Sequence, residues 1–117
     1  MAEPWPTELR LDKERRTLTV TFDDGRSYAL PAELLRVLSP SAEVQGHSPE
    51  QRVTVAGKKS VGMVRLEPVG NYAVRIVFDD GHDTGLYVWA YLRELGENRD
   101  ARWQNYLNDL TAKGLSR

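Results

Sequence analysis

The sequence predicts an α+β domain: small antiparallel sheets from a strand–hairpin–helix unit used twice, with helices packed on one side and a C-terminal helix. Three observations carry this prediction. Apolar and polar residues alternate over short segments, as half-buried strands require. Two of those segments end in the same tetrapeptide, Phe22-Asp23-Asp24-Gly25 and Phe78-Asp79-Asp80-Gly81. A run of helix formers follows each copy after a short return strand.

Taken in order, Met1 to Pro6 read as an extended arm with two prolines around Trp5. Thr7 to Asp12 alternate, with Leu9 and Leu11 on one face and Glu8 and Arg10 on the other. Lys13 to Arg16 form a charged turn. Thr17 to Phe22 form a strand with Leu18, Val20 and Phe22 inward. Asp24-Gly25 marks a tight hairpin turn, because this pair supplies positive φ angles. Arg26 to Leu30 return, Pro31 suits the first turn of a helix, and Ala32 to Leu38 continue it to Ser39-Pro40.

Ser41 to Glu50 read as a loop and Val53 to Val55 as a short strand. Met63 to Glu67 form a strand, with Met63 and Arg65 on one face and Val64 and Leu66 on the other. Pro68 to Asn71 turn the chain. Tyr72 to Phe78 give the strongest strand pattern, Asp79-Asp80-Gly81 repeat the hairpin, and Thr84 to Tyr87 return. Val88 to Leu95 read as a helix closed by Gly96 as C-cap. Asn98 or Asp100 caps a last helix over Ala101 to Lys113, with Trp103, Tyr106, Leu107 and Leu110 at helical spacing.

Two further matches support duplication. Leu35-Arg36-Val37-Leu38 recurs as Leu92-Arg93-Glu94-Leu95, and Leu9-Arg10-Leu11-Asp12 resembles Val64-Arg65-Leu66-Glu67. Three matched segments in one order point to a single supersecondary unit used twice around one core.

The 117 residues suit one domain over 1–117, with residues 97–117 as its C-terminal helix. Sixteen basic and seventeen acidic side chains leave a net charge of −1. That balance argues against a nucleic-acid partner, which needs a basic footprint, and against a polybasic membrane anchor. The absence of cysteine excludes disulfides, thiolate metal sites and a cysteine nucleophile. The first residues lack a basic start and an apolar signal core, and no apolar run reaches membrane length, so a cytoplasmic location is expected.

Little in the chain points to chemistry, and no catalytic residue is assigned. His82 lies among Asp79, Asp80 and Asp83, where a carboxylate-oriented histidine can bind metal or act as a base. The alternative is a hydrogen-bonded turn histidine. The first copy has Arg26 at that position. His47 is the other histidine; if its loop folds over the second turn, His47, His82 and a carboxylate would form an iron-type site. The FDDG aspartates lack the calcium-loop pattern. Ser39, Ser41 and Ser48 lack a nucleophile elbow, and Gly57-Lys58-Lys59 lacks the spacing of a phosphate loop. Trp89, Tyr91 and Trp103, with Tyr106, form an aromatic set that reads as core, or as an interface where exposed.

Three segments carry a resemblance to a known family: Leu35 to His47, Pro68 to Val74, and Phe78 to Tyr87 with Trp89 and Leu92. Over about Thr7 to Gly96 the chain resembles small bacterial proteins of unknown function similar to the N-terminal domain of gamma-butyrobetaine hydroxylase. In the hydroxylases this domain accompanies a separate iron- and 2-oxoglutarate-dependent catalytic domain and binds structural zinc through three cysteines and a histidine. The cysteines match Ser39, Ser41 and Val44 here, and the histidine matches His82. With three ligands replaced, no cofactor is expected, although zinc or iron would be the metal of such a site. Similar domains also occur fused to P-loop ATPases carrying iron–sulfur clusters. The resemblance thus implies a non-catalytic accessory or protein-interaction domain, linked to iron–sulfur or metalloprotein assembly, whose partner is an iron–sulfur carrier or a metalloenzyme. The alternative is a metal- or small-ligand-binding domain centred on His82 and His47.

Overall fold

A computed structural model describes residues 5–46 and 52–117 of the chain. The order is β1 (Pro6–Leu11), β2 (Thr17–Phe22), β3 (Ser27–Pro31), α1 (Ala32–Val37), α2 (Ala42–Gln45), β4 (Met63–Val69), β5 (Ala73–Phe78), β6 (Leu86–Val88), α3 (Trp89–Glu97) and α4 (Arg99–Ala112). The strands form two three-stranded antiparallel sheets, β1-β2-β3 and β4-β5-β6. The fold is α+β, and each sheet is followed by two helices.

The registers show the duplication residue by residue. Leu18 pairs with Leu30 in the first sheet, and Val74 with Tyr87 in the second. All four side chains are fully buried. Leu9 pairs with Val20, and Leu66 with Ile76, so Leu9 matches Leu66, two places beyond the match read from sequence. Each copy carries a bulge in its first strand: the register shifts between Pro6 and Glu8 in β1, and between Met63 and Arg65 in β4. The extra residue in β4, Val64, is exposed. Met63 and Leu66 therefore share the inner face, while Arg65 and Glu67 face outward, which corrects the simple alternation.

Both FDDG turns are three-residue loops rather than two-residue ones. The Phe22 N–H donates to the Arg26 carbonyl (2.9 Å), and the Gly25 N–H to the Phe22 carbonyl (2.9 Å). In the second copy Phe78 bonds the His82 carbonyl (2.9 Å), and Gly81 bonds Phe78 (3.2 Å). Only the glycines take positive φ, +85° at Gly25 and +93° at Gly81, as in a turn closed by a left-handed residue. Asp24 accepts from the Arg26 N–H (3.1 Å), and Asp80 from the His82 N–H (3.0 Å). A short polar side chain that bonds the backbone two residues on is what favours Asp at this place.

One apolar cluster joins the inner faces of both sheets to Leu34 and Leu35 of α1 and Leu92 and Leu95 of α3. Each of these large side chains contributes roughly 1.5–3 kcal/mol by leaving water. A smaller cluster of Val37, Tyr106 and Leu110 docks α4.

Several elements differ from the sequence reading. Ala42–Gln45 forms a short helix inside the expected loop, with the Ser41 hydroxyl accepting from the Glu43 N–H (3.1 Å). Residues 53–55 are not a strand. Gly96 lies within α3 rather than capping it. A Cβ there would sit 2.4 Å from the Tyr28 ring, so the glycine serves close packing.

Candidate functional site at the second turn

His82 follows the second FDDG turn and is only 6% exposed. The register of β5 and the turn bring it against the segment between α1 and α2. Its Nε2 lies 2.9 Å from the Ser39 Oγ, and its Nδ1 lies 3.3 Å from a Glu43 carboxylate oxygen. A carboxylate only accepts, so Nδ1 carries the proton of the neutral ring and Nε2 accepts from the Ser39 hydroxyl. Ser39 Oγ in turn accepts from the Ser41 N–H (3.3 Å), and the Ser41 Oγ is 2.7 Å from the Thr84 Oγ1.

The structure thus brings Ser39, Ser41 and His82 together. Val44 is buried in the same short helix, but its side chain offers no ligand. His47 lies outside the described residues. Among those described, no three histidine, cysteine or carboxylate side chains cluster as a metal site.

Serine, histidine and glutamate in hydrogen-bonded order have the connectivity of a nucleophilic triad. The surroundings differ from such a site. Ser39 is fully buried, and a Cβ on Gly85 would lie 2.4 Å from its Oγ, with Tyr87 and Pro40 also in contact. A substrate carbonyl needs space at about 3 Å from the nucleophile, and that space is filled. Glu43, which would orient the imidazole, is mostly in solvent, its side chain 62% exposed.

Below the histidine lies an ion cluster. Arg36 Nε donates to Asp80 (2.8 Å), and Lys58 Nζ reaches the same carboxylate oxygen (2.6 Å). Burial raises the Asp80 pKa, but Lys58, the His82 N–H and Arg36 outweigh it and bring the carboxyl down to about 2. Burial, reinforced by Arg36, holds His82 below the ordinary imidazole value, against the pull of Glu43 and Asp80. Arg36 Nη1 is buried with no hydrogen-bond partner among the described residues.

Sequence reading named Asp80 beside His82 but did not single out Glu43, Thr84 or Arg36 as members of the same site. One signal was present: Arg36 and Arg93 match across the repeat, as do Asp80 and Asp24. Each arginine bonds the aspartate of the other copy, since Arg93 Nη2 donates to Asp24 (2.7 Å).

The aromatic set is spread over three places. Trp89 donates its indole N–H to the Asn71 carbonyl (2.9 Å). The Tyr91 hydroxyl donates to the Leu38 carbonyl. Trp103 stacks near Tyr106, with centroids 5.2 Å apart. All three are half-buried against the main cluster.

The matches to known proteins agree with the fold. Two NMR solution structures are similar over nearly the whole chain. One is 50% identical, covers 98% of this chain and 86% of its own, and has a TM-score of 0.84. The other is 49% identical, covers 99% and 91%, and has the same TM-score. A crystal structure of a protein of unknown function from Acidithiobacillus ferrooxidans, assigned to the DUF971 family, is 38% identical over 81% of this chain and 98% of its own, with a TM-score of 0.67. No curated protein matches the sequence significantly. The family described as gamma-butyrobetaine hydroxylase-like, N-terminal, matches residues 9–93. The chain belongs to that gamma-butyrobetaine hydroxylase-like N-terminal family.

Proposed function

We propose that this chain is a non-catalytic accessory domain that binds a protein partner in the cytoplasm, in iron–sulfur or metalloprotein assembly. The carrying observation is the outer face of the second sheet. Val69, Val77, Leu86 and Val88 point away from the core there, around the ion-paired Arg65, Glu67 and Arg75. Leu86 and Val88 are each 41% exposed, and Tyr72 beside them is 52% exposed. Partly exposed apolar side chains flanking a charged cluster give the mixed apolar and polar surface that protein interfaces use. Trp89 borders this face and would extend it, whereas Tyr91 and Trp103 serve packing. The assembly link rests on the family resemblance. No helix among the described residues is long and apolar enough to cross a membrane.

The test is affinity capture from the native cell, with metal analysis of the eluate. Leu86→Asp and Val88→Asp should each abolish capture of an iron-containing partner, and Thr19→Asp on the other sheet should not. Capture unaffected by both substitutions would overturn the assignment of the face. Stoichiometric metal on the chain itself, with no partner, would favour the rival reading of a metal or small-ligand site on His82 and His47. That reading draws on the convergence of Ser39, Ser41 and His82. It expects zinc or iron to raise the melting temperature, and His82→Ala to cancel the rise.

A further inference from the structure

Glu33 stands in the first turn of α1 and is 7% exposed. Its two carboxylate oxygens accept from Arg117 Nε (3.0 Å) and Nη2 (2.8 Å), a fork-to-fork pair. The Arg117 guanidinium also lies over the Trp103 ring, 5.2 Å from its centroid. A buried carboxylate beside an aromatic face is the arrangement that selects a planar guanidinium over a compact ammonium. Among the described residues Glu33 has no other hydrogen-bond partner. The receptor side is fixed on two helices.

The occupant is held less firmly. The Arg117 side chain is 42% exposed against 8% for Glu33. The segment after α4 is tied down by the Leu115 N–H on the Leu110 carbonyl (2.8 Å) and the Ser116 carbonyl on the Gly57 N–H (3.1 Å). Beside the pair a recess of about 270 Å³ opens, bounded by Pro31, Leu34, Arg99 and Trp103. We propose that Glu33 and Trp103 form an arginine-recognition site, kept closed by the chain's own Arg117 and opened by exchange with an arginine side chain of a protein partner. This site shares no residue with the outer face of the second sheet and stands or falls separately.

The test uses the full chain with Arg117→Ala, titrated with N-acetyl-arginine amide and followed by the Trp103 indole signal in NMR, identified with Trp103→Phe. A saturable shift is expected, at least tenfold tighter than in the wild type, where Arg117 competes at high effective concentration. N-acetyl-lysine amide should bind several-fold more weakly, and Glu33→Gln in the same background should abolish the shift. A folded Arg117→Ala variant with no saturable shift would overturn the proposal, as would a shift indifferent to Glu33→Gln. If Arg117→Ala does not fold, Arg117→Gln takes its place. If neither folds, excess arginine amide on the wild type must speed exchange of the Arg117 Nε proton, and unchanged exchange overturns the site.

Discussion

The two copies of the repeat share a skeleton and differ in what covers it. Phe22 and Phe78 begin identical turns and are equally buried. Their second aspartates are each bonded by an arginine from the opposite copy's helix. The packing at the helix end is also reciprocal. Gly96 in α3 receives the Tyr28 ring of β3, while Gly85 before β6 receives Ser39 at the end of α1. By register, Tyr28 matches Gly85, and the helix ends match Ser39 to Gly96. The large and small partners have exchanged sides. The first copy fills the joint with an aromatic ring, and the second fills it with a buried polar network around His82. The outer faces diverge as well: Thr17, Thr19 and Thr21 line the middle of the first sheet, and Ala73, Arg75 and Val77 that of the second. A duplicated scaffold thus keeps its core and turns and varies one joint and one face, which is where partner contact and any ligand chemistry would reside.

The largest test concerns the shared part. Phe22→Ala and Phe78→Ala should each lower stability by about 3–5 kcal/mol, as deletion of a buried aromatic ring does. The two losses, measured by urea denaturation, should agree within about 2 kcal/mol, the spread such deletions show. A large imbalance would show that the copies are not energetically equivalent.

The exchanged joint comes next. Gly96→Ala must push the Tyr28 ring aside, and Gly85→Ala must displace Ser39. Each should cost about 1–3 kcal/mol by overpacking, with Gly96→Ala partly offset by up to about 1 kcal/mol of helix propensity. Tyr28→Ala should relieve the strain of Gly96→Ala but not that of Gly85→Ala. A double-mutant cycle showing no coupling between residues 28 and 96 would break the proposed match.

What the sequence disclosed follows this division. The strands, turns and duplication were legible because period-two alternation and Asp-Gly turns are local properties. The bulge at Val64 was not, since nothing local marks an extra residue in a strand; only pairing of Met63 with Phe78 reveals it. Gly96 was misread as a cap because a glycine required by a distant ring looks the same as one required by backbone conformation. His82 was legible as a candidate, but Ser39 and Glu43 are 43 and 39 residues away and became its partners only through tertiary packing.

The two arginine clasps should separate by environment. Asp80 bonds Arg36 and Lys58 with its side chain 18% exposed, whereas Asp24 bonds Arg93 and is 43% exposed. Asp80→Asn should therefore destabilise more than Asp24→Asn, because it leaves two cations with reduced access to water. Arg93 holds the Asp24 carboxyl at about 2, as Lys58, the His82 N–H and Arg36 do Asp80. Depressed carboxyls stabilise above their unfolded value of 3.8, and that stability is lost as pH falls toward 2. Acid titration of stability should be shallower in both variants. Equal losses at neutral pH would sink the distinction.

The smallest effect isolates the histidine. His82 is held below 6.5 by burial and by Arg36, although Glu43 on α2 and Asp80 in the turn oppose the shift. A depressed folded pKa means that the unfolded chain binds the proton more readily. The neutral histidine therefore contributes its stability fully above pH 6.5, and that contribution falls as pH drops from 6.5 toward the lower folded value. Protonation also reverses the bond to Ser39: Nε2 becomes a donor, and the Ser39 hydroxyl must turn its proton elsewhere in a fully buried site. Stability measured by urea unfolding from pH 7.5 to 5.5 should decline in the wild type and decline less in His82→Gln. The first copy, with exposed Arg26 at this place, has no counterpart, and Arg26→Gln should leave the slope unchanged. An identical slope in His82→Gln and the wild type would show that His82 titrates as it does in the unfolded chain, and that the polar joint of the second copy carries no proton-linked stability.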